Sequence, residues 1–292
     1  MSEIIELFAK NGAGDKSSPV HSISGADAET AAAESSSRDA SEAPPASAAG
    51  NDEWLFTAEE FDFSGATFQM KRAMDPGTIL GEQLRILRTR LSLMQKQNGL
   101  KTVLMTSTVP QEGKSFTSGA LAGVMAQESG KRIVVIDADL RKHGSGRDYG
   151  IKGSSRSIGT TQVLQGVSEF QKSLMKSVDP EFWFLPSGTL PLNPSELIGS
   201  PEMEKMLRFA AEKFDWVIVD GPPALALPDP SLIAPLCDTV VLVVRVKSTP
   251  AKLVNETINK IGRERICGVV LNRQKQIHSS RYYYQYYQSY QK

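Results

Sequence analysis

Short, nearly continuous runs of Val, Ile and Leu alternate along this chain with segments whose apolar residues recur at helical spacing. The strand-like runs cover residues 102–106, 132–136, 183–185, 216–219, 239–244 and 266–271, and the helical segments cover 78–97, 114–128, 201–213 and 251–262. Apolar runs without polar alternation are typical of strands that are buried on both faces, and helices between strands permit parallel pairing. The pattern predicts an α/β fold with a mostly parallel sheet and helices on both faces.

A candidate phosphate-binding loop joins the first of these strands to a helix. The segment MTSTVPQEGKSF, residues 105–116, follows the pattern G-x-x-x-x-G-K-[ST], except that Thr108 stands at the first glycine position. In such a strand–loop–helix setting, backbone N–H groups and the helix N-terminus face the phosphates. Lys114 would reach the β- and γ-phosphates, and Ser115 would offer its hydroxyl to Mg²⁺. The predicted nucleotide-binding residues are Val109, Pro110, Gln111, Glu112, Gly113, Lys114, Ser115 and Phe116.

Three aspartates at strand ends support this nucleotide site. A Gly-Lys pair can also open an ordinary helix, so the loop alone leaves that alternative open. Asp137 and Asp139 follow the run VVI, and Asp220 follows the run VIV. Because ligands of open parallel sheets bind at the carboxyl ends of the strands, we expect the three carboxylates and the loop to converge there. Their combination favours a nucleotide site over an ordinary helix start.

Six of the seven tyrosines lie in the last eleven residues of the chain. Their segment, RYYYQYYQSYQK, has neither the alternation of a half-buried strand nor the apolar spacing of an amphipathic helix. Packing therefore gives no reason for the cluster, and the tail has the character of a substrate. The clustered residues are Tyr282, Tyr283, Tyr284, Tyr286, Tyr287 and Tyr290.

The first 53 residues differ in composition from the rest of the chain. They hold three Lys/Arg against ten Asp/Glu, which leaves 30 against 23 for residues 54–292. The stretch 12–51 is dominated by Ala, Ser, Glu, Asp and Pro, which bury too little apolar surface to offset the entropy of ordering. We therefore expect residues 1–53 to be a disordered acidic tether. Its apolar cluster, Ile4, Ile5, Leu7 and Phe8, could be a docking helix or a frayed terminal turn, and both possibilities stay open.

Cysteine usage and hydropathy bear on the cellular compartment. Cys237 and Cys267 lie in apolar stretches without the spacing of a metal site, which favours buried, reduced thiols. The longest uninterrupted apolar run, 240–244, is far shorter than the roughly 20 residues of a spanning helix. We expect a cytoplasmic protein that reaches a membrane only through a partner. Lys and Arg are dispersed over the predicted folded part, so no nucleic-acid partner is expected.

From about Pro76 to the C-terminus, the sequence resembles the bacterial tyrosine kinases of polysaccharide biosynthesis. Besides the tyrosine cluster, the resemblance rests on STVPQEGKS (Walker A), VVIDADLR (Walker A′), VIVDGPP (Walker B), EQLRILR before the first strand, LPSGTLPLNPSEL at 185–197, and VVLN ending at Asn272. MinD- and ParA-type ATPases carry a signature lysine where this chain has Val109. The resemblance implies a P-loop NTPase-like fold and an ATP-dependent tyrosine autokinase, with a MinD/ParA-like ATPase switch that acts through partner binding as the alternative.

The same resemblance implies roles for the site residues. Lys114, Asp137 and Asp139 would be catalytic: Asp137 would accept the tyrosine proton, and Asp139 would support the metal or its waters. The implied cofactors are ATP and Mg²⁺, and Asn272 would contact the base of the nucleotide. The implied metal ligands are Ser115, Asp137 and Asp220, and the implied autophosphorylation sites are the six clustered tyrosines. The expected domains are the tether 1–53, a kinase domain 54–275 and the tail 276–292.

Partners are implied as well. Members of the family phosphorylate tails between neighbouring subunits of a ring, and Glu82, Arg85 and Arg88 would lie at the subunit interface. From the residues alone, a solvated helix face with a weak Glu82–Arg85 pair stays open. The expected partners are other copies in a dephosphorylated ring, a transmembrane polysaccharide copolymerase that activates the kinase, and a tyrosine phosphatase. The chain would then act at the inner membrane through a partner and regulate extracellular or capsular polysaccharide synthesis and export.

Overall fold

The structure, a computed structural model, describes residues 52–128, 130–142, 146, 148–151 and 157–273. The strands in this part of the chain are β1 Glu59–Phe61, β2 Thr102–Ser107, β3 Ile133–Asp137, β4 Met175–Ser177, β5 Phe182–Leu185, β6 Trp216–Pro223, β7 Thr239–Arg245 and β8 Ile266–Asn272. The α-helices are α1 Phe68–Met74, α2 Ile79–Asn98, α3 Lys114–Ala126, α4 Thr160–Leu164, α5 Phe170–Ser173, α6 Pro194–Ile198, α7 Pro201–Lys213, α8 Asp229–Ile233 and α9 Ala251–Ile261. None of these described helices combines the length and the apolar character that a bilayer span requires.

The described strands form one sheet in the order β1-β4-β5-β3-β6-β2-β7-β8. From β5 to β8 every neighbouring pair is parallel, whereas β4 runs antiparallel to β5 and β1 pairs parallel with β4. The predicted mostly parallel α/β sheet is confirmed. Strands β1 and β4 escape the sequence prediction because each has three residues and neither carries an apolar run.

Strand β6 brings the sheet to the candidate site. It lies between β3 and β2, and all eight of its residues are buried. Its register aligns Asp220 with Asp137 of β3 and with Met105 of β2. The sequence pattern predicts that these two strands end at Ile136 and Val219, one residue before each aspartate. In the structure each strand includes its aspartate, and Asp137 pairs with Asp220 across β3 and β6. The sheet therefore fixes the backbone of both residues.

One face of the sheet is covered by α1, α2 and α3. Leucines of α2 recur at spacings of three and four residues and are buried, which places them in one stripe toward the core. The backbone N–H of Gly81 donates to the Thr78 hydroxyl at 3.0 Å, so Thr78 caps the helix. Gly99, with a φ of 72°, ends it. The buried leucines are Leu80, Leu84, Leu87 and Leu91, as predicted.

The opposite face is covered chiefly by α7, which has the predicted bounds 201–213. Pro201 opens α7, and its fixed φ suits the first helical position. Trp183 of β5 packs against Phe214 with ring centroids 5.4 Å apart, and its indole N–H donates to the Leu55 carbonyl at 3.2 Å. The buried residues of α7 are Met203, Met206, Leu207 and Ala210. Helices thus cover both faces, as a buried parallel sheet requires.

Replacing Leu87 with Ala should lower the free energy of unfolding by about 2–5 kcal/mol, because it leaves a cavity under α2. Leu87 is 1% exposed, whereas Leu93 on the same helix is 52% exposed. Leu93→Ala is therefore the control, with an expected change within about 0.5 kcal/mol. Urea unfolding followed by circular dichroism measures both variants. Equal losses would show that α2 does not pack on the sheet through its leucine stripe.

Candidate nucleotide and metal site

The predicted phosphate loop connects Ser107, the last residue of β2, to Lys114, the first residue of α3. Gln111 and Gly113 have positive φ angles of 67° and 97°, which turn the chain tightly before the helix. A Cβ at Gly113 would lie 2.0 Å from Nδ2 of Asn272, so only glycine fits there. Gln111 and its neighbour Pro110 are exposed. The loop thus has the tight backbone and the solvent access that a phosphate group requires.

The Lys114 ammonium lies among buried carboxylates. Its Nζ is 2.9 Å from Oδ2 of Asp139 and 3.6 Å from Oδ1 of Asp220. The exposed fractions of these side chains are 5% for Lys114, 4% for Asp139 and 1% for Asp220. Burial by itself would lower the pKa of Lys114, but the charges of Asp220 and Asp139 outweigh it and raise that pKa. The site therefore holds a fixed positive charge at neutral pH.

Asp220 is the least satisfied of these acids. Neither of its carboxylate oxygens has a donor in good hydrogen-bond geometry among the described residues, although the residue is fully buried. Burial raises the pKa of Asp220, and the charge of Lys114 and the nearby Ser115 hydroxyl oppose that shift. A buried carboxylate without close donors can be compensated by a bound cation. Asp220 therefore fits the predicted role of a metal ligand, which stays a prediction.

Asp137 lies beside Asp220 in the sheet and is 1% exposed. Its Oδ1 accepts the backbone N–H of Asp139 at 3.1 Å, and its carbonyl accepts the Thr160 hydroxyl at 2.8 Å. No group of three or more His, Cys, Asp and Glu side chains in the described part of the chain could hold a metal ion by itself. Mg²⁺ usually takes one or two protein carboxylates and completes its shell with phosphates and water. The carboxylate and hydroxyl oxygens at this site fit that mode of binding.

A charged network that the sequence did not predict anchors the segment after Asp139. The Arg141 guanidinium donates to both carboxylate oxygens of Asp229, at 2.7 and 3.1 Å, and to the Ser195 hydroxyl at 2.6 Å. Burial would raise the pKa of Asp229, but the bonds from Arg141 and Ser195 outweigh it, so its pKa lies below the ordinary value. The network ties the Walker A′ segment to the first residues of α6 and α8.

Lys260, on α9, fixes the segment that follows β6. Its ammonium donates to the carbonyls of Ala224, Leu225 and Leu227 at 2.8, 3.0 and 2.9 Å. Three carbonyls saturate the donors of one ammonium. The sequence did not predict this contact, because a lysine on a helix is usually solvated and Lys260 belongs to no recognisable motif.

The residues expected at a subunit interface contact their own chain in this structure. Arg85 donates to the Met74 carbonyl at 3.2 Å and to the Gln127 side chain at 3.0 Å. Arg88 donates to the Val124 carbonyl at 3.2 Å and lies 3.1 Å from the Glu128 carboxylate. Both arginines therefore hold the C-terminal end of α3, where a positive charge is favoured. The interface role of these arginines and of Glu82 stays a prediction.

Asn272, expected to contact the nucleotide base, ends β8 beside the phosphate loop. Its Nδ2 donates to the Glu112 carbonyl at 2.8 Å, and its Oδ1 accepts the backbone N–H of Arg273 at 2.8 Å. The base contact stays a prediction. The expected tether and the six clustered tyrosines of the tail lie outside the described residues, apart from Asp52 and Glu53.

Comparisons with known proteins find relatives that cover more than half of the chain. A family model described as an AAA domain matches residues 101–265, more than half of the chain. The tyrosine-protein kinase YwqD of Bacillus subtilis is 32% identical over 212 residues, which cover 72% of this chain and 88% of YwqD. EpsB of Ralstonia nicotianae is 34% identical over 193 residues, which cover 65% of this chain but only 25% of EpsB, so the chain spans a quarter of that relative. The solved kinase domain of Escherichia coli tyrosine kinase ETK matches with a TM-score of 0.65 and 31% identity, over 70% of this chain and 82% of that chain.

Replacing Lys114 with Met should destabilise the protein by about 3–5 kcal/mol at pH 8, because it leaves buried carboxylates without their counter-charge. Burial raises the pKa of Asp220, and without Lys114 the charge that opposes this shift is lost, so the folded-state pKa of Asp220 should lie further above its unfolded value. Such a group contributes stability at low pH and loses it as the pH rises, so the deficit should shrink at pH 5.5. Urea unfolding at both pH values measures the change. A deficit that is equal at both would contradict the charge cluster.

Proposed function

Because the chain belongs to the family of bacterial tyrosine-protein kinases, we propose that it transfers the γ-phosphoryl group of ATP to the tyrosines of its own C-terminal cluster. The observation that carries the proposal is the buried cluster of Lys114, Asp139 and Asp220 beside the phosphate loop. This cluster supplies a fixed cation for the phosphates, and the chain itself supplies six clustered phenols. A MinD/ParA-like switch would use the same loop but gives no reason for the tyrosines.

The chemistry assigns each residue a part. The phenolic oxygen of a tyrosine forms a bond to the γ-phosphorus while the bond from that phosphorus to the β–γ bridging oxygen breaks, and ADP leaves with the electron pair. Asp137 takes the phenolic proton. Lys114 balances charge on the phosphates, and the backbone N–H groups of the loop position them. Ser115, Asp137 and Asp220 would hold Mg²⁺, which would supply further charge neutralisation when bound.

Asp139 acts in this scheme by holding other groups. It forms the short contact with Lys114 and also lies 3.4 Å from Nζ of the half-exposed Lys142. Its backbone N–H donates to Asp137, so one residue fixes both the predicted base and the fixed cation. Positioning of this kind accounts for much of the catalysis of phosphoryl transfer, because the protein has little covalent chemistry to perform.

Replacing Asp137 with Ala should reduce labelling of the protein by γ-labelled ATP by roughly 10²-fold or more, because the phenol loses its base. Lys114→Met should do the same through lost charge neutralisation. The control is Glu256→Gln, a loss of one exposed carboxylate on α9, which should label like the wild type. Circular dichroism confirms that each variant is folded.

Thin-layer chromatography of the same reactions separates the kinase from the switch. Label on the protein, lost in the Asp137 variant, supports the kinase. Free phosphate without labelled protein would support the MinD/ParA-like switch. Phosphotyrosine that persists in a folded Asp137→Ala variant would remove the assignment of Asp137 as the base.

The chain also fits assembly into a homo-oligomer in which a tail reaches a neighbouring site. Arg85 and Arg88 are the proposed contacts, together with Glu82 in the first turn of α2. The same arginines hold the end of α3, whose first residue is Lys114. An interface at α2 would therefore lie on a helix that packs against the helix carrying the catalytic lysine.

Replacing Glu82, Arg85 and Arg88 together with Ala should leave a monomer, because the proposed polar contacts between subunits are lost. Size-exclusion chromatography with light scattering measures the mass. Arg90→Ala is the control, since Arg90 is exposed on the same helix and lies outside the motif. An unchanged oligomer in the triple variant would refute the interface, and dissociation of both variants would refute its specificity.

We propose that phosphorylation of the tails dissociates the oligomer by changing its charge. Residues 54–292 carry 30 Lys/Arg against 23 Asp/Glu, a formal charge of +7. Each phosphotyrosine adds about 1.5 to 2 negative charges, so six would add roughly 9 to 12, which exceeds this positive charge, and the modified tails would then be expelled. We propose that a transmembrane polysaccharide copolymerase activates the kinase at the inner membrane and that a tyrosine phosphatase resets it. The cycle would regulate the synthesis and export of extracellular polysaccharide.

A further inference from the structure

Glu112 places an acid inside a loop that is proposed to hold phosphates. A carboxylate that faced the phosphates would repel them. In the structure Glu112 is 1% exposed, and its carboxylate is directed toward the end of β7 and the segment before α9. The charge is therefore turned away from the solvent, and the position of the carboxylate indicates a role within the protein.

Glu112 joins the phosphate loop to the ends of β7 and β8, through its carboxylate and its backbone carbonyl. Oε2 accepts the backbone N–H of Val109 at 2.8 Å, within the loop. Oε1 accepts the backbone N–H of Arg245 at 3.0 Å, at the end of β7, and also the hydroxyl of Thr249. The carbonyl of Glu112 accepts Nδ2 of Asn272 at 2.8 Å, at the end of β8. Buried carboxylates are stable only when donors surround them, and these contacts provide the donors.

The first glycine of the phosphate-loop pattern is absent from this chain. Thr108 stands at that position, is fully buried, and has an Oγ1 without a hydrogen-bond partner among the described residues. At Val109, the next residue, the carbonyl accepts the Ser107 hydroxyl at 2.9 Å and the N–H donates to Glu112. Side chains thus fix both polar groups of Val109 at the entry of the loop.

We propose that Glu112 is a positioning residue that clamps the phosphate loop in the form that receives a nucleotide, by bridging Val109 to Arg245 and Thr249. The inference rests on the proposed function only insofar as the loop binds nucleotide phosphates. The clamp also links the loop to the ends of β7 and β8, next to Asn272. The Glu112 carboxylate is bonded within the protein, so its effect on the nucleotide passes through the loop backbone.

The clamp has a measurable consequence for affinity. When only a fraction of the molecules hold the binding-competent loop, the apparent dissociation constant rises by the inverse of that fraction. Glu112→Gln keeps the size of the side chain but places an amide NH₂ against one of its present donors. If the competent fraction falls to about a tenth, the dissociation constant for a nucleotide should rise about tenfold.

The test titrates the full chain with the fluorescent nucleotide mant-ADP in the presence of Mg²⁺. Glu112→Gln should raise the dissociation constant about tenfold, and Thr249→Val, which removes one donor, about two- to threefold. The double variant should bind no more weakly than Glu112→Gln alone, because both changes break one clamp. Glu212→Gln removes a carboxylate that is exposed on α7 and should bind like the wild type.

Hydrogen exchange distinguishes the clamp from a general loss of stability. In Glu112→Gln, the amides of Val109 and Arg245 should exchange faster, while the core strand β6 keeps its protection. A folded Glu112→Gln variant with wild-type affinity would overturn the proposal. If that variant does not fold, Thr249→Val decides, and unchanged affinity in it would overturn the proposal as well.

The binding assay also separates the clamp from the kinase proposal. If the wild-type chain binds mant-ADP but labels no tyrosine, the kinase proposal is wrong, while weaker binding of mant-ADP by Glu112→Gln would still support the clamp. If the wild-type chain phosphorylates its tail and Glu112→Gln binds mant-ADP as tightly as the wild type, only the clamp proposal is wrong. Absence of nucleotide binding by the wild type would overturn both.

Discussion

The buried ammonium of Lys114 joins elements that are distant along the chain. It begins α3, and its contacts of 2.9 Å and 3.6 Å reach Asp139 beyond the end of β3 and Asp220 inside β6. Taking these charges out of water is costly, and their mutual attraction repays the cost only when the geometry is fixed. The parallel register of β3 and β6 and the turn before α3 provide that geometry, so the sheet and the phosphate loop depend on the same contact.

Stability alone does not account for the charges at this edge of the sheet. Asp220 is fully buried, and its oxygens lack donors in good hydrogen-bond geometry among the described residues, which costs free energy that an apolar residue would not. Proteins keep such unfavourable groups at functional sites and compensate for them elsewhere. The compensation here lies in the large apolar core on both faces of the sheet.

The sequence predicted those parts of the fold that depend on local pattern. The stripe of leucines on α2 and the bounds of α7 follow from periodicity, and the meeting of Lys114, Asp139 and Asp220 follows from the rule that strand ends form the site. Contacts between distant side chains could not be predicted in the same way. Arg141 and Asp229 are 88 positions apart in the sequence, and Glu112 meets Arg245 only because β2 and β7 are neighbours. Strands β1 and β4 form where their three residues pair with a neighbouring strand, and segments this short carry no periodic signal in the sequence.

We propose that this site phosphorylates the tyrosines of its own chain. Tandem mass spectrometry of the C-terminal peptide, after incubation of the purified protein with ATP and Mg²⁺, tests this proposal most directly. We predict phosphate on several of the six tyrosines between Tyr282 and Tyr290, with a stoichiometry that grows with time. An unmodified tail after ATP has been hydrolysed to ADP and free phosphate would contradict it.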